Sequence, residues 1–329
     1  MTATLHDHHD HDHHGHDHGP HDHGHAAQEH GHHGGHGHHH HHHGEGAFGL
    51  GAALNGAFVV AQIAAGLVAG SMALLADAGH NFADVLGLLL AWGAVRLGRR
   101  RPSRRRTYGY RRSSILASLA NAVILLVGVG AIVLESIHRL FQPAPVATGI
   151  VMAVAVIGVL INGGTALLFL PRGRSDLNAR GAFLHMASDA LVSVGVIAAA
   201  LAIRLTGWLW IDPATGLAIA GIIVWGTWSL LRESLNLALD GVPAEIDPAA
   251  VEAYLTELPG VTGIHHLHIW ATSTTETALT VHLVRPGSTL DDALLAEASH
   301  QLRRRFAIDH ATFQLERGET PCALVPATV

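Results

Sequence analysis

A series of long apolar runs between residues 47 and 235 limits what this chain can fold into more than any other feature. A helix needs about 20 mainly apolar residues to cross roughly 30 Å of hydrocarbon. Six runs meet that length: 47–69, 72–97, 114–137, 146–170, 180–204 and 209–231. Pro143 and Pro145 break the chain between the third and fourth, and Pro171 ends the fourth. Asp212-Pro213 predicts the start of the sixth, with an acid at the N-cap and proline at the first helical position. Only 14% of residues are charged and 49% are hydrophobic, against about 25% charged in an ordinary soluble domain. The expected organisation is a polar arm over 1–46, an all-α six-helix transmembrane domain over 47–235, and a soluble domain over 236–329.

Arginine sets the orientation, because positive residues mark the cytoplasmic side of a membrane protein. All 20 basic residues are Arg, and nine of them lie between Arg96 and Arg112, after the second span. Arg172, Arg174 and Arg180 follow the fourth span, whereas the connections on the other face hold only Arg139 and Arg204. The 2–3 and 4–5 loops are therefore expected in the cytoplasm, and an even span count puts both termini there. The N-terminus lacks the basic n-region and apolar core of a secretory signal. The expected location is the cell (inner) membrane. The arginine cluster reads as a topology signal with lipid contact, not as a nucleic-acid surface.

Ionisable side chains inside a span are costly, so each is a functional candidate. Span two carries Asp77, His80 and Asp84; span five carries His185 and Asp189. His80 and Asp84 are four apart, as are His185 and Asp189, so each pair shares one helix face. Two imidazoles and two carboxylates make a tetrahedral Zn2+ site, and two ionised carboxylates neutralise a divalent cation in a low-dielectric setting. Mg2+ and Ca2+ want more oxygens; Ni2+, Co2+ and Mn2+ remain open by ligand type. Asp77, one turn from His80, is a candidate orienter or proton acceptor. Asn55, Asn121 and Asn162 are expected to hydrogen-bond between helices, and Glu135 to pair with Arg139.

The tail reads as a helix over 247–257, strands over 263–270 and 277–285, a helix over 289–305 and a strand over 311–316. That order, αββαβ, predicts a small α+β domain. It contains His265, His266, His268, His282, His300 and His310, with His265 and His282 placed to face each other across paired strands. The single cysteine, Cys322, excludes an internal disulfide and a Cys-based metal knot. At the other end, 21 of the 30 His lie within residues 6–43. With no apolar residues to build a core, that segment is expected to be disordered and to capture metal as a cytoplasmic arm.

The texts SMALLADAGHNFADV, YGYRRSSILASLANA, HMASDALVSVGV, HHLHIW and HATFQLE resemble the cation diffusion facilitator family of zinc efflux transporters over roughly residues 47–320. The resemblance implies transport-site ligands at His80, Asp84, His185 and Asp189, in the zinc-preferring pattern with His at the first position. It implies a metallochaperone-like cytoplasmic domain for metal sensing and dimerisation, with metal near His265, His282 and Glu316 and His310 a weaker candidate. It further implies a homodimer that exchanges cytoplasmic Zn2+ for external protons, with Zn2+ as substrate and no catalytic cofactor. The acid usual near Ser114 is absent, and residues 98–113 hold neither Asp nor His, so no second site is expected in the 2–3 loop.

Two other functions compete with zinc export. An intramembrane metalloenzyme needs an open metal position and a general base, but no H-E-x-x-H occurs and four ligands close the site. A sensor or buffer without transport leaves six spans and a buried site unexplained. Export of Co2+, Cd2+ or Ni2+ beside zinc stays open.

Overall fold

The computed structural model describes residues 45–169, 177–287, 291–320 and 322. The arm over residues 1–44, with the metal capture expected of it, and Pro171, Arg172 and Arg174 lie outside them. Six helices come first: α1 Glu45–Ala69, α2 Met72–Gly98, α3 Ser113–Phe141, α4 Thr148–Phe169, α5 Leu177–Thr206 and α6 Ile211–Ala238. By length and composition α2 to α6 can each cross a membrane, and α1 adds the apolar run Asn55–Ala69. The molecule is a six-helix membrane bundle followed by a small α+β domain, as the hydrophobic pattern predicted.

Within the bundle α4 packs most extensively on α5 and α3 on α6, while α2 touches α1, α3, α5 and α6. The shared core is small: Ala69, Ala73, Ala76, Ala155, Ala200 and Ala220 alternate with Leu74, Val129, Val151 and Val196. Small side chains let helix backbones approach closely where lipid offers no hydrophobic drive for association. At Gly216 of α6 an added Cβ would sit 3.0 Å from the Met72 backbone. Large apolar residues such as Trp225, Phe141 and Val68 point outward, as a lipid-facing surface requires.

The start of α6 departs from the sequence expectation. Its N-cap is Trp210, without a side-chain cap, and Asp212 lies inside the helix. The Asp212 carboxylate reaches across to α2, accepting from Ser71 Oγ (2.5 Å), Met72 N (2.6 Å) and Ala73 N (3.4 Å). Ser71 caps α2 by accepting from Leu74 N at 3.1 Å, which leaves other first-turn N–H groups orphaned in an apolar setting. An acid from a neighbouring helix satisfies them and complements the positive end of the helix dipole. Arg139, paired with Glu135 at 2.9 Å as expected, also donates to Gly70 O at the α1–α2 turn.

The C-terminal domain runs α7 Pro248–Thr256, β1 Gly263–Ala271, β2 Thr277–Val284, α8 Asp292–Phe306 and β3 His310–Glu316, the expected αββαβ order. Asp247 caps α7 by accepting from Ala249 N at 3.0 Å. The sheet order is β1-β2-β3, with β1 antiparallel and β3 parallel to the central β2. A parallel neighbour needs a crossover, which α8 supplies. Val251, Leu255, Leu279, Leu283, Leu302 and Ile308 form the core between helices and sheet. At the junction with the bundle Arg111 pairs with Glu276 and Arg112 with Asp240. Thr274 N donates to Ser114 Oγ at 3.0 Å, so the position where an acid was missed holds the turn between β1 and β2.

Candidate metal centres

The helix spacing brings the four intramembrane candidates together, and it pairs them across helices. His80 Nε2 on α2 lies 3.0 Å from Asp189 Oδ1 on α5. His185 Nε2 on α5 lies 3.4 Å from Asp84 Oδ2 on α2 and 3.7 Å from Asp189 Oδ2. The two rings meet edge to face with centroids 6.1 Å apart. In a tetrahedral zinc site with bonds of about 2.0–2.1 Å, ligand atoms stand about 3.3 Å from one another. These three separations bracket that value; His80, Asp84 and Asp189 offer donor atoms within 4.8 Å of one another, and His185 joins them through Asp84 and Asp189 from outside that set. Asp189 is buried while the His185 side chain is 45% exposed, so the site is walled on one side and open on the other.

One turn along α2, Asp77 is tied into a separate polar cluster. Its Oδ2 accepts from Gln62 Nε2 on α1 at 2.6 Å and from Ser193 Oγ on α5 at 3.2 Å. Gln62 Oε1 accepts in turn from Asn81 Nδ2 at 3.0 Å. Gln62, Asp77, Asn81 and Ser193 are all buried. Asp77 therefore braces three helices behind the ligands and makes no direct hydrogen bond to them. Gln62 and Ser193 were missed in the sequence, although a lone Gln in FVVAQIAAG is a legible signal of buried polarity. The expected interhelical bonds of Asn121 and Asn162 are not made in full. Asn121 Oδ1 and Asn162 Nδ2 are buried without partners; Gly87, which offers no side chain, lies beside the Asn121 amide.

In the C-terminal domain, register places His265 of β1 directly across from His282 of β2. Glu316 ends β3, two residues beyond the partner of His282 and on the same face. Its oxygens lie 3.2 Å from His265 Nε2 and 2.8 Å from His282 Nδ1. The His265 nitrogen is buried, yet it lies off the line a hydrogen bond to Glu316 needs. Close approach without a proton link is the arrangement of two ligands around a shared ion. Burial alone would push the Glu316 carboxyl up, but the hydrogen bond from Gln314 and the charges of His265 and His282 hold it below the usual glutamate value. Cys322 joins this cluster with Sγ 3.6 Å from His282 Nδ1, near the about 3.6 Å expected between a thiolate and an imidazole on one zinc. The four donor atoms lie within 4.8 Å of one another. Cys322 carries no spacing motif, so only the fold reveals it.

His310 and His300 lie elsewhere. His310 opens β3 beside Ala278 at the opposite end of the sheet, where its Nε2 meets Arg111 Nη1 at 2.9 Å and its ring meets Tyr108. His300 is exposed on α8.

Comparison with known proteins agrees with this architecture. The profile of the cation efflux transmembrane domain matches residues 50–237, and that of the cation efflux protein cytoplasmic domain matches residues 243–318. The chain belongs to the cation efflux family. Its relatives include the metal cation efflux system protein CzcD of Cupriavidus metallidurans, 39% identical over 90% of this chain and 91% of that protein. The zinc transporter ZitB of Escherichia coli is 38% identical over 82% of this chain and 85% of its own length. A cadmium, cobalt and zinc/H(+)-K(+) antiporter of Bacillus velezensis is 33% identical over 79% and 84%. A solved structure, the metal-bound C-terminal domain of CzcD, aligns at 38% identity with 22% of this chain and 99% of that domain, with a TM-score of 0.19. This member of the family is thus a cation efflux transporter of the membrane, not an enzyme.

Proposed function

We propose that the transported cation is Zn2+, carried out of the cytoplasm in exchange for protons through His80, Asp84, His185 and Asp189. The observation that carries this reading is the crossed pairing of two imidazoles and two carboxylates from α2 and α5. Such a set takes zinc as a closed tetrahedron of net zero charge. Each ligand pair sits on its own helix, so a relative movement of α2 and α5 opens the set and releases the ion. Imidazoles bind metal only when neutral, and their ordinary titration range lies near physiological pH. Protons from the outer side compete zinc off the site and travel inward on the return. A relative named as a zinc transporter, and one named as a cadmium, cobalt and zinc/H(+)-K(+) antiporter, support zinc among the cargoes and protons as the exchanged ion.

The arginine-rich connection between α2 and α3 supports a cytoplasmic position for that face, both termini and the C-terminal domain. There His265, His282, Glu316 and Cys322 hold a second, regulatory zinc, and the domain pairs two copies of the chain. The histidine-rich arm feeds zinc toward the bundle.

Reconstitution into liposomes with a pH-sensitive dye inside tests the exchange. External zinc is expected to enter while the lumen turns alkaline. Entry of zinc with no change in lumenal pH would overturn proton exchange, and no zinc entry at all would overturn zinc as cargo.

A further inference from the structure

Consecutive residues of a regular strand point to opposite faces of a sheet, so His265 and His266 should not reach the same site. Here they do. Between His265, paired with His282, and His268, paired with Thr280, β1 carries one more residue than β2. This is a β-bulge, and His266 sits in it with φ +50°, a left-handed conformation uncommon outside glycine. The bulge swings the His266 ring toward the metal cluster. Its centroid lies 5.1 Å from that of His282 and 6.1 Å from that of His265, against 5.0 Å between His265 and His282. Strained backbone of this kind persists where the surroundings hold it and gathers at functional sites.

The two nitrogens of His266 are used unequally. Nδ1 lies 3.4 Å from His268 Nε2, whereas Nε2 is buried with no partner. With the Nδ1 proton directed to the exposed His268, Nε2 keeps a free lone pair. A metal-ligating histidine has this form, one nitrogen on the ion and the other donating to a group that fixes tautomer and ring orientation.

We propose that His266 Nε2 is a metal ligand of the cytoplasmic-domain site, a third imidazole beside His265 and His282, with His268 as its positioning residue. The proposal rests on the reading that this domain binds a divalent ion. Three imidazoles, a carboxylate and a thiolate are one donor more than a tetrahedral ion takes. A five-coordinate ion takes the His266 nitrogen and the Cys322 sulfur together. Both suit Zn2+, Co2+ and Ni2+ better than Mg2+ or Ca2+.

Co2+ titration of the full chain in detergent tests this. Cys322 is the only cysteine, so a thiolate-to-Co2+ charge-transfer band reports this site and not the arm or the bundle. His266→Asn keeps a residue that tolerates the left-handed backbone and removes the imidazole. The expected result is a half-saturation concentration for Co2+ raised about tenfold or more, with altered visible ligand-field bands. His266→Gly, which relaxes the backbone, is expected to lose as much. Titrations and spectra that coincide with the parent in both variants would overturn the role of His266 alone. Absence of the band in the parent would overturn the four-donor site and His266 with it.

Discussion

Gln62 lies in an otherwise apolar helix, and both ends of its amide are used, one by Asp77 and one by Asn81. A buried carboxylate without such partners is costly, and the low dielectric that strengthens a satisfied network penalises a broken one. Gln62→Leu leaves Asp77 with Ser193 alone and Asn81 Nδ2 without its acceptor. It is expected to destabilise the protein by about 1–3 kcal/mol, read as a lower thermal unfolding midpoint in detergent. An unchanged midpoint would mean that the cluster adds nothing to the fold. The convergence of His80, Asp84, His185 and Asp189 was legible in the sequence, because two His-x-x-x-Asp elements in apolar spans have few structural explanations. Gln62 and Ser193 were less so, since a single polar residue does not say which helix it will face. Cys322 was hidden for a different reason. Its six-residue separation from Glu316 follows no ligand spacing, and only the end of β3 brings it to His282.

At the level of elements, hydrophobic runs located every helix and strand and most of their ends to within a few residues, because long periods of burial or lipid exposure dominate local choice; α6 runs seven residues past its expected end, to Ala238. Cap chemistry behaved differently in the two halves. Asp247-Pro248 caps its own helix, α7, in the C-terminal domain. Asp212-Pro213 has the same local text, yet Asp212 serves the first turn of α2. Water can satisfy an orphan N–H in the soluble domain, whereas inside a bilayer a neighbouring helix must do so, and tertiary need overrides the local signal. Asp212→Ala is therefore expected to cost about 1–2 kcal/mol and to raise hydrogen exchange at Met72 and Ala73. Asp247→Ala is expected to cost about 1 kcal/mol or less, with the change confined to the start of α7. Equal exchange at Met72 and Ala73 in parent and Asp212→Ala would contradict the cross-helix cap. The bulge in β1 was invisible in the sequence, since the apolar alternation around HHLHIW does not show that an extra residue is accommodated.

For the whole molecule, α2 is the part on which the rest converges. It carries His80 and Asp84, is held at its start by Asp212 and Ser71, and leads through the arginine-rich connection to the contacts of Arg111 and Ser114 with the turn between β1 and β2. That same sheet carries His265, His282 and Glu316. The proposed metal sites of the C-terminal domain and of the bundle are thus joined by the contacts of Arg111 with Glu276 and of Ser114 with Thr274. The central claim is that zinc crosses by way of the α2–α5 ligand set, and zinc uptake into liposomes by the parent and by Asp84→Ala tests it most directly. Asp84 is partly exposed and its carboxylate faces the His185 ring, so the variant is expected to fold, insert and lose zinc flux at least about tenfold, the order of loss for weakened metal sites. Flux equal to the parent would contradict the account and remove Asp84 from the path of the ion.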